Sequence, residues 1–249
     1  MSVLRSGEAV RGDPGTHRLA AEHGVTRALA GARSLEEAAP GILEAIGGNL
    51  GWAAGAFWQR DPEDGDLFCV EVWYSRPDLR SFEEVTTRTR LPPGKGLPGR
   101  VWETRGPVWV RDLASDPHVV RRELSAVLGL RTALAFPVLL EREILGILEF
   151  FSQRPAEPAE PLLGMMEAIG SEIGQFAKRT RAEAALRESE ERLRLALEAG
   201  RMGTWDWDIL AGRLRWSEGL ERIYGFPPGG FGGSLDEFLE SVLPEDREA

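Results

Sequence analysis

The spacing of apolar positions changes several times along this chain, and each change marks an element. Leu19, Val25 and Leu29 make a short helical pattern over 19–29. Ser34 then precedes LEEAAPGILEAIGGNLG, with Glu37 placed for a capping box. Leu35, Ala38, Ile42, Ala45 and Ile46 form the apolar stripe of this helix. Pro40 and Gly41 are expected to break or bend it, and Gly51 to close it. The pattern next becomes that of strands. Residues 53–59 and 67–74 are apolar, aromatic and β-branched, and DPEDGD between them is turn chemistry, which predicts a hairpin. Residues 82–90 are polar and read as a connecting segment. Pro92, Pro93, Gly94, Gly96, Pro98 and Gly99 punctuate the stretch that follows, leaving room for a short helix over 99–104 and a short strand over 107–110. A further helix is expected from His118 to Leu128, ended by Gly129. Residues 132–140 and 143–151 run almost continuously apolar, as strands covered on both faces do, with a tight turn at Glu141-Arg142.

A long helix begins after Pro155, Pro158 and Pro161. Leu162, Met166, Ile169, Ile173 and Phe176 step 4-3-4-3; the phase breaks around 178–181, and the same step resumes at Ala182, Leu186, Ser189, Leu193 and Ala196. That spacing is the seam of a two-stranded coiled coil. Glu183–Arg187, Glu188–Arg192 and Glu190–Arg194 are i,i+4 pairs with the acid first, which suits an exposed helix face. So polar a helix is suited to joining two domains and pairing with its own copy. The expected interface is Leu162, Met166, Ile169, Ile173, Phe176, Leu186 and Leu193, and the phase break is where a domain's last helix becomes the inter-domain helix.

The order helix, hairpin, loops with short helices, hairpin, long helix describes an α+β domain, an antiparallel sheet flanked by helices. The 249 residues suffice for one domain and part of a second. Residues 1–18 carry Gly, Pro, Arg and Asp without period and are expected to be disordered. A formal net charge of −10 argues against non-specific binding to nucleic acid or anionic lipid. The longest apolar runs are strand-sized, and the N-terminus lacks the apolar core of a signal peptide, so the expected location is cytoplasmic, with no membrane partner. Cys69 is alone, which excludes an intramolecular disulfide and any multi-cysteine metal site.

Enzyme signatures are missing from the sequence. There is no phosphate loop, and GKG at 94–96 lacks the strand–loop–helix context. HExxH, CxxC and GxSxG do not occur. A histidine-kinase transfer helix needs a histidine beside an acid on a dimeric helix, and its ATP domain needs Gly-rich and Asn-bearing boxes; neither is read here. No catalytic residue, metal ligand set or cofactor is named by the sequence. Cys69, on a strand, reads as a small core hydrophobe. His118 reads as a partly solvated residue of a first helical turn, with a haem ligand or pocket contact as its functional alternative. Asp112 either orients a ligand's polar group or caps the next turn. Trp58, Trp73, Trp102 and Trp109 allow an aromatic cage, though three of them read as core.

The stretch GKGLPGRVWETRGPVWVRDLASDPHVVRRELSAVLGLRTALAFPVLLEREILGILEFFS resembles a bacterial GAF domain. The most specific features are GLPGRVW, the RDL after the short strand, GLRTALAFPV and GILEFFS, and the resemblance covers about residues 34–179. It implies a pocket between the sheet and its covering loops and helices. Such pockets bind cyclic nucleotides, tetrapyrroles, haem or other small molecules, depending on the subfamily. By the same resemblance the walls would come from Trp73, the helix carrying Trp102, Asp112, the helix His118–Leu128 and the strand start Arg131–Thr132. Light-sensing members hold a bilin through a cysteine on the helix corresponding to 118–128; none is there, so covalent bilin binding is not expected.

ESEERLRLALEAGRMGTWDWDILAGRLRWSEGLERIYGF resembles the opening of a PAS domain, with LPEDR near the end as a further match. The expected organisation is a disordered 1–18, a GAF domain over 19–179, a coiled-coil helix over 180–199 and an incomplete PAS domain over 200–249. A PAS fold takes about 100 residues, so the chain reads as a fragment of a longer receptor or as one whose C-terminal part is poorly ordered, with Trp205, Trp207 and Trp216 as core and interface. The resemblances imply a homodimeric input module whose output domain is most often a sensor histidine kinase, less often a diguanylate cyclase or phosphatase. The alternative is a stand-alone small-molecule-binding GAF protein.

Overall fold

The computed structural model describes residues 14–155, 157 and 160–243. Contacts divide the chain into two compact units, up to Arg181 and from Ala182. The first unit opens with α1 (Pro14–Ala30) and α2 (Leu35–Leu50), followed by the hairpin β1 (Ala54–Arg60) and β2 (Leu67–Tyr74). A single 3₁₀ turn (Pro77–Leu79) leads into α3 (Arg80–Thr86), β3 (Arg90–Leu91), α4 (Gly96–Thr104), β4 (Val108–Val110) and α5 (Arg122–Val127). Strands β5 (Thr132–Leu140) and β6 (Glu143–Ser152) then lead to α6 (Glu160–Ala199). The six strands form one antiparallel sheet in the order β3-β2-β1-β6-β5-β4. This is the α+β sheet-and-helix architecture that the hydrophobic pattern predicts.

Side chains alternate across the two sheet faces. Phe57, Leu134, Phe136, Val138, Leu148 and Phe150 pack with α1, α2 and the first half of α6. Ala54, Ala56, Trp58, Ala133, Ala135, Ile147 and Phe151 face α3, α4 and the segments around them. With both faces covered, β5 and β6 can be apolar at nearly every position. Gly170 and Gly174 let α6 lie directly on β5: a Cβ on either would stand 2.6 Å from the Pro137 carbonyl oxygen or 1.9 Å from that of Leu139.

Several expectations are corrected. The helix over 35–50 is unbroken across Pro40 and Gly41. Ser34 caps it and its apolar face is buried, which together outweigh the one lost hydrogen bond, while Gly41 lets it approach Ala28 of α1. The expected disorder over 1–18 fails for 14–18, which form the first turn of α1; residues 1–13 lie outside those described. The connecting segment 82–90 holds most of α3 and the first residue of β3, because Leu79 and Phe82 are fully buried and anchor it. The expected helix from His118 is only Arg122–Val127. The Asp116 carboxylate accepts the His118 N–H at 2.8 Å and its carbonyl accepts Val119 N–H, so the chain turns there before it becomes helical.

The dimer seam is also corrected in its first half. Met166, Ile169, Ile173 and Phe176 are buried against their own sheet, and Leu162 packs partly against the same core. Their 4-3-4-3 step is the stripe of a helix lying on a sheet. Helix α6 runs without interruption through 178–181, and beyond Ala182 it is exposed: Leu186 and Leu193 are both 60% accessible.

The second unit contains the end of α6, a hairpin of β7 (Trp205–Asp208) and β8 (Arg213–Trp216), α7 (Glu218–Tyr224) and α8 (Leu235–Glu240). Trp216 stacks on Phe231 at 4.0 Å and tilts against Tyr224 at 4.8 Å. Glu221 is buried, and its carboxylate accepts the backbone N–H groups of Gly229 and Phe231, which fixes the loop that brings Phe231 to Trp216. Trp205 and Trp207 are exposed, so of the three tryptophans only Trp216 is packed among other rings. Of the LPEDR stretch, everything from Pro244 onward lies outside the described residues.

Candidate ligand-binding site

On the α3–α4 face of the sheet the strands carry small residues at the centre. Ala56 of β1 and Ala135 of β5 lie opposite Glu149 of β6, one on each side of it. A carboxylate therefore stands in a shallow hollow on the sheet floor, completely buried. Its Oε1 is held by Arg121 Nη2, and Arg121 is itself only 9% exposed. Arg121 Nη1 donates to Thr86 Oγ1 at 2.6 Å. The guanidinium carbon lies 5.3 Å from the ring centres of Trp58, Phe82 and Phe151. Each contact is in cation–π range, so the arginine occupies an aromatic cage with a carboxylate at its base. Glu149 Oε2 and Trp58 Nε1 are buried and have no protein partner, where buried polar atoms ordinarily have one.

Above the cage is a cavity of about 20 Å³, lined by Phe82, Leu91, Leu97, Val119, Arg121 and Ser125 among others. That is room for little more than one water molecule. Its roof is the segment between β4 and β5. Leu113 N–H donates to the Arg131 carbonyl at 2.8 Å where this strap begins and ends, and Gln153 Nε2 donates to the Leu128 carbonyl at 2.8 Å. Arg100 of α4 donates to Asp116 at 2.8 Å. Burial raises the Asp116 carboxyl, but the His118 N–H and Arg100 outweigh it and hold the group below its ordinary value. A lowered carboxyl stabilises the fold above its unfolded pKa, and that contribution is lost as pH falls through the lowered value.

The six residues singled out on the sequence do not line this cavity. Trp73 is on the opposite face of the sheet, over Gly47 of α2. Trp102 borders the α3–α4 core with the Arg60 guanidinium 5.6 Å from its ring. Asp112 is exposed and accepts the Ala114 N–H, so of its two readings the turn cap is the one seen. His118 and Arg131 are exposed, and Thr132 is buried with its hydroxyl donating to the Arg111 and Arg154 carbonyls. The strap from 118 to 128 does supply a wall, through Val119, Val120, Arg121 and Ser125. Glu149 is the residue that sequence reasoning missed, and Arg121 falls within the expected 118–128 wall without being singled out there. The available signal was a single carboxylate in the middle of a ten-residue apolar strand, where a charge needs a partner.

Cys69 packs beside this core and its thiol donates to the Glu71 carbonyl. Burial, followed by the negative charge of Glu149, pushes the thiol up to about 12. It carries almost no thiolate at neutral pH and is no nucleophile there.

A six-stranded antiparallel sheet with a strapped polar hollow on one face and helices on the other defines the class of domain. A family model for the GAF domain matches residues 32–176, more than half of the chain, and the chain belongs to the GAF-domain family. It is 27% identical over 137 residues to the Nif-specific regulatory protein of Herbaspirillum seropedicae, covering 53% of this chain and 25% of that protein. It is 31% identical over 78 residues to the probable diguanylate cyclase DgcE of Escherichia coli K12, covering 31% of this chain and 7% of that one. The chain thus spans a quarter or less of either curated relative. Among solved structures it resembles the free methionine-R-sulfoxide reductase of Neisseria meningitidis in complex with its substrate (TM-score 0.57, 16% identity, 74% of this chain and 99% of that one). It also resembles the GAF domain of a phosphoenolpyruvate-protein phosphotransferase from Coxiella burnetii (TM-score 0.57, 20% identity, 70% and 99%). At these identities the likeness concerns the fold. No described helix is long and apolar enough to cross a membrane.

Proposed function

We propose that this chain is the cytoplasmic input region of a signalling protein: a GAF domain that senses a small molecule under the 113–130 strap, and a helix that pairs with its own copy and passes the signal on. The observation that carries this reading is the two-part character of α6. Its first half is built into the sheet of the sensory domain, through Met166, Ile169, Ile173 and Phe176. The same helix continues past Ala182 with a polar surface in which Leu186 and Leu193 are exposed. Exposed leucines one heptad apart, flanked by the Arg187–Glu183 and Arg192–Glu188 pairs, suit a parallel two-stranded coiled coil. A change at the strap would then bias an element with two arrangements.

The regulatory name of one relative and the cyclase name of the other support a signalling role. By resemblance, the second unit is the opening of a PAS domain; the exposed Trp205, Trp207, Ile209 and Leu210 suit a surface that further PAS strands would cover. The output domain most often joined to such an input is a sensor histidine kinase. The test is Leu193→Asp, read by native mass spectrometry with circular dichroism as the check on folding. A charge in the seam is expected to convert a dimer into a folded monomer; an unchanged dimer mass would sink the pairing.

A further inference from the structure

The chemistry of the hollow names a ligand class. Its floor is a fully buried carboxylate, Glu149, and its walls are the faces of Trp58, Phe82 and Phe151. A carboxylate within a ring of aromatic faces is a recognition site for an organic cation, because ring quadrupoles and the negative charge both attract one. What fills it is a side chain of the protein itself, delivered from the strap. Arg121 is the residue before α5, on a surface segment whose neighbour Val120 is exposed. It separates Glu149 from the apolar cavity lined by Leu91, Leu97 and Val119. Glu149 Oε2 remains without a partner although Oε1 is bonded to Arg121. The carboxylate can therefore take a second donor.

We infer that this cage binds a small organic cation, one bearing a guanidinium or amine group, and that Arg121 is the tethered occupant such a ligand displaces. The inference rests on the sensory reading above and adds the ligand's charge and the moving part. An external cation would pair with Glu149, place its apolar portion against Leu91, Leu97 and Val119, and release Arg121 to solvent. The strap from 113 to 130 would then lose the buried contact through which Arg121 anchors it to the sheet. Binding of ligand and release of the strap are thus one exchange of guanidinium for cation at the same carboxylate.

Chemical rescue tests this. In the full chain, Arg121→Ala leaves the cage unfilled, and Arg121→Ser does so with a second small side chain. Methylguanidinium at millimolar concentration is expected to raise the Tm of either variant saturably, by about 5 °C. It should raise the wild type's Tm far less, and the effect should vanish when Glu149→Gln is added. Where a variant does not fold alone, refolding on addition of methylguanidinium is the readout, and its return to the native circular dichroism spectrum is the expected result. No saturable effect on either variant, or an equal effect with Glu149→Gln present, would overturn the inference. If a small-molecule screen of the wild type then finds an anionic ligand in this cavity, the sensory reading survives without the cation; if it finds none, that reading loses its ligand as well.

Discussion

Replacing Arg121 by methionine is expected to cost the fold about 3–5 kcal/mol near neutral pH. The side chain is 9% exposed and its partner Glu149 is fully buried. Removing one member of a buried pair leaves the other without the charge that offsets its desolvation. The loss includes the hydrogen bond to Thr86 and three contacts with aromatic faces. Urea unfolding of the full chain gives the number. The diagnostic comparison is Arg121→Met with Glu149→Leu: a well-packed apolar pair of similar volume is often neutral, so the double variant should recover most of the loss. If the double variant is as unstable as Arg121→Met alone, the cost is one of shape, and the charge account of the hollow fails.

Two glycines of α6 should respond to alanine with opposite signs. A Cβ on Gly174 would stand 1.9 Å from the Leu139 carbonyl oxygen and 2.8 Å from its carbon, so helix and strand must separate. Overpacking of this kind costs about 1–3 kcal/mol or more, and alanine's better helix propensity returns about 1 kcal/mol. Gly174→Ala is expected to be destabilising by about 2 kcal/mol. Gly164 lies in the same helix with nothing within 4 Å of its Cβ position. There only propensity acts, and Gly164→Ala should stabilise by up to about 1 kcal/mol. Melting temperatures of the two variants settle the comparison, and equal signs would mean that α6 does not rest on β5 at this glycine.

The sequence carried the sheet well. Both hairpins, the near-continuous apolar runs of β5 and β6, the capped α2 and the long helix α6 were legible because each rests on a local signal: period, cap or turn chemistry. Elements held by single buried anchors were not. Helix α3 looks polar because one face is solvent, and it is secured by Phe82 with help from the neighbouring Leu79. The 4-3-4-3 step over 162–176 is common to a helix on a sheet and a helix on its twin, and it is the burial of Met166, Ile169, Ile173 and Phe176 against their own sheet that tells them apart. The same limit applied to the site. Trp73 and Trp102 fall on opposite faces of the sheet, a matter of strand phase and chain path that the sequence did not disclose. The Arg121–Glu149 pair joins residues 28 apart in sequence, and no local pattern announces a pair made by tertiary contact. A charge in the middle of an apolar strand does announce that some partner exists, and that was the readable clue.

The proposed pairing of α6 has a direct chemical test. In a chain carrying Cys69→Ser, a single new cysteine is placed at Leu193, in the seam, or at Glu191, on the far side of the same helix, and the protein is mildly oxidised. In a parallel coiled coil each seam position meets its own copy, so Leu193→Cys should cross-link rapidly and almost completely to a dimer, with Glu191→Cys remaining monomeric on a denaturing gel. A Leu193→Cys chain that folds normally yet cross-links no faster than Glu191→Cys would contradict the account.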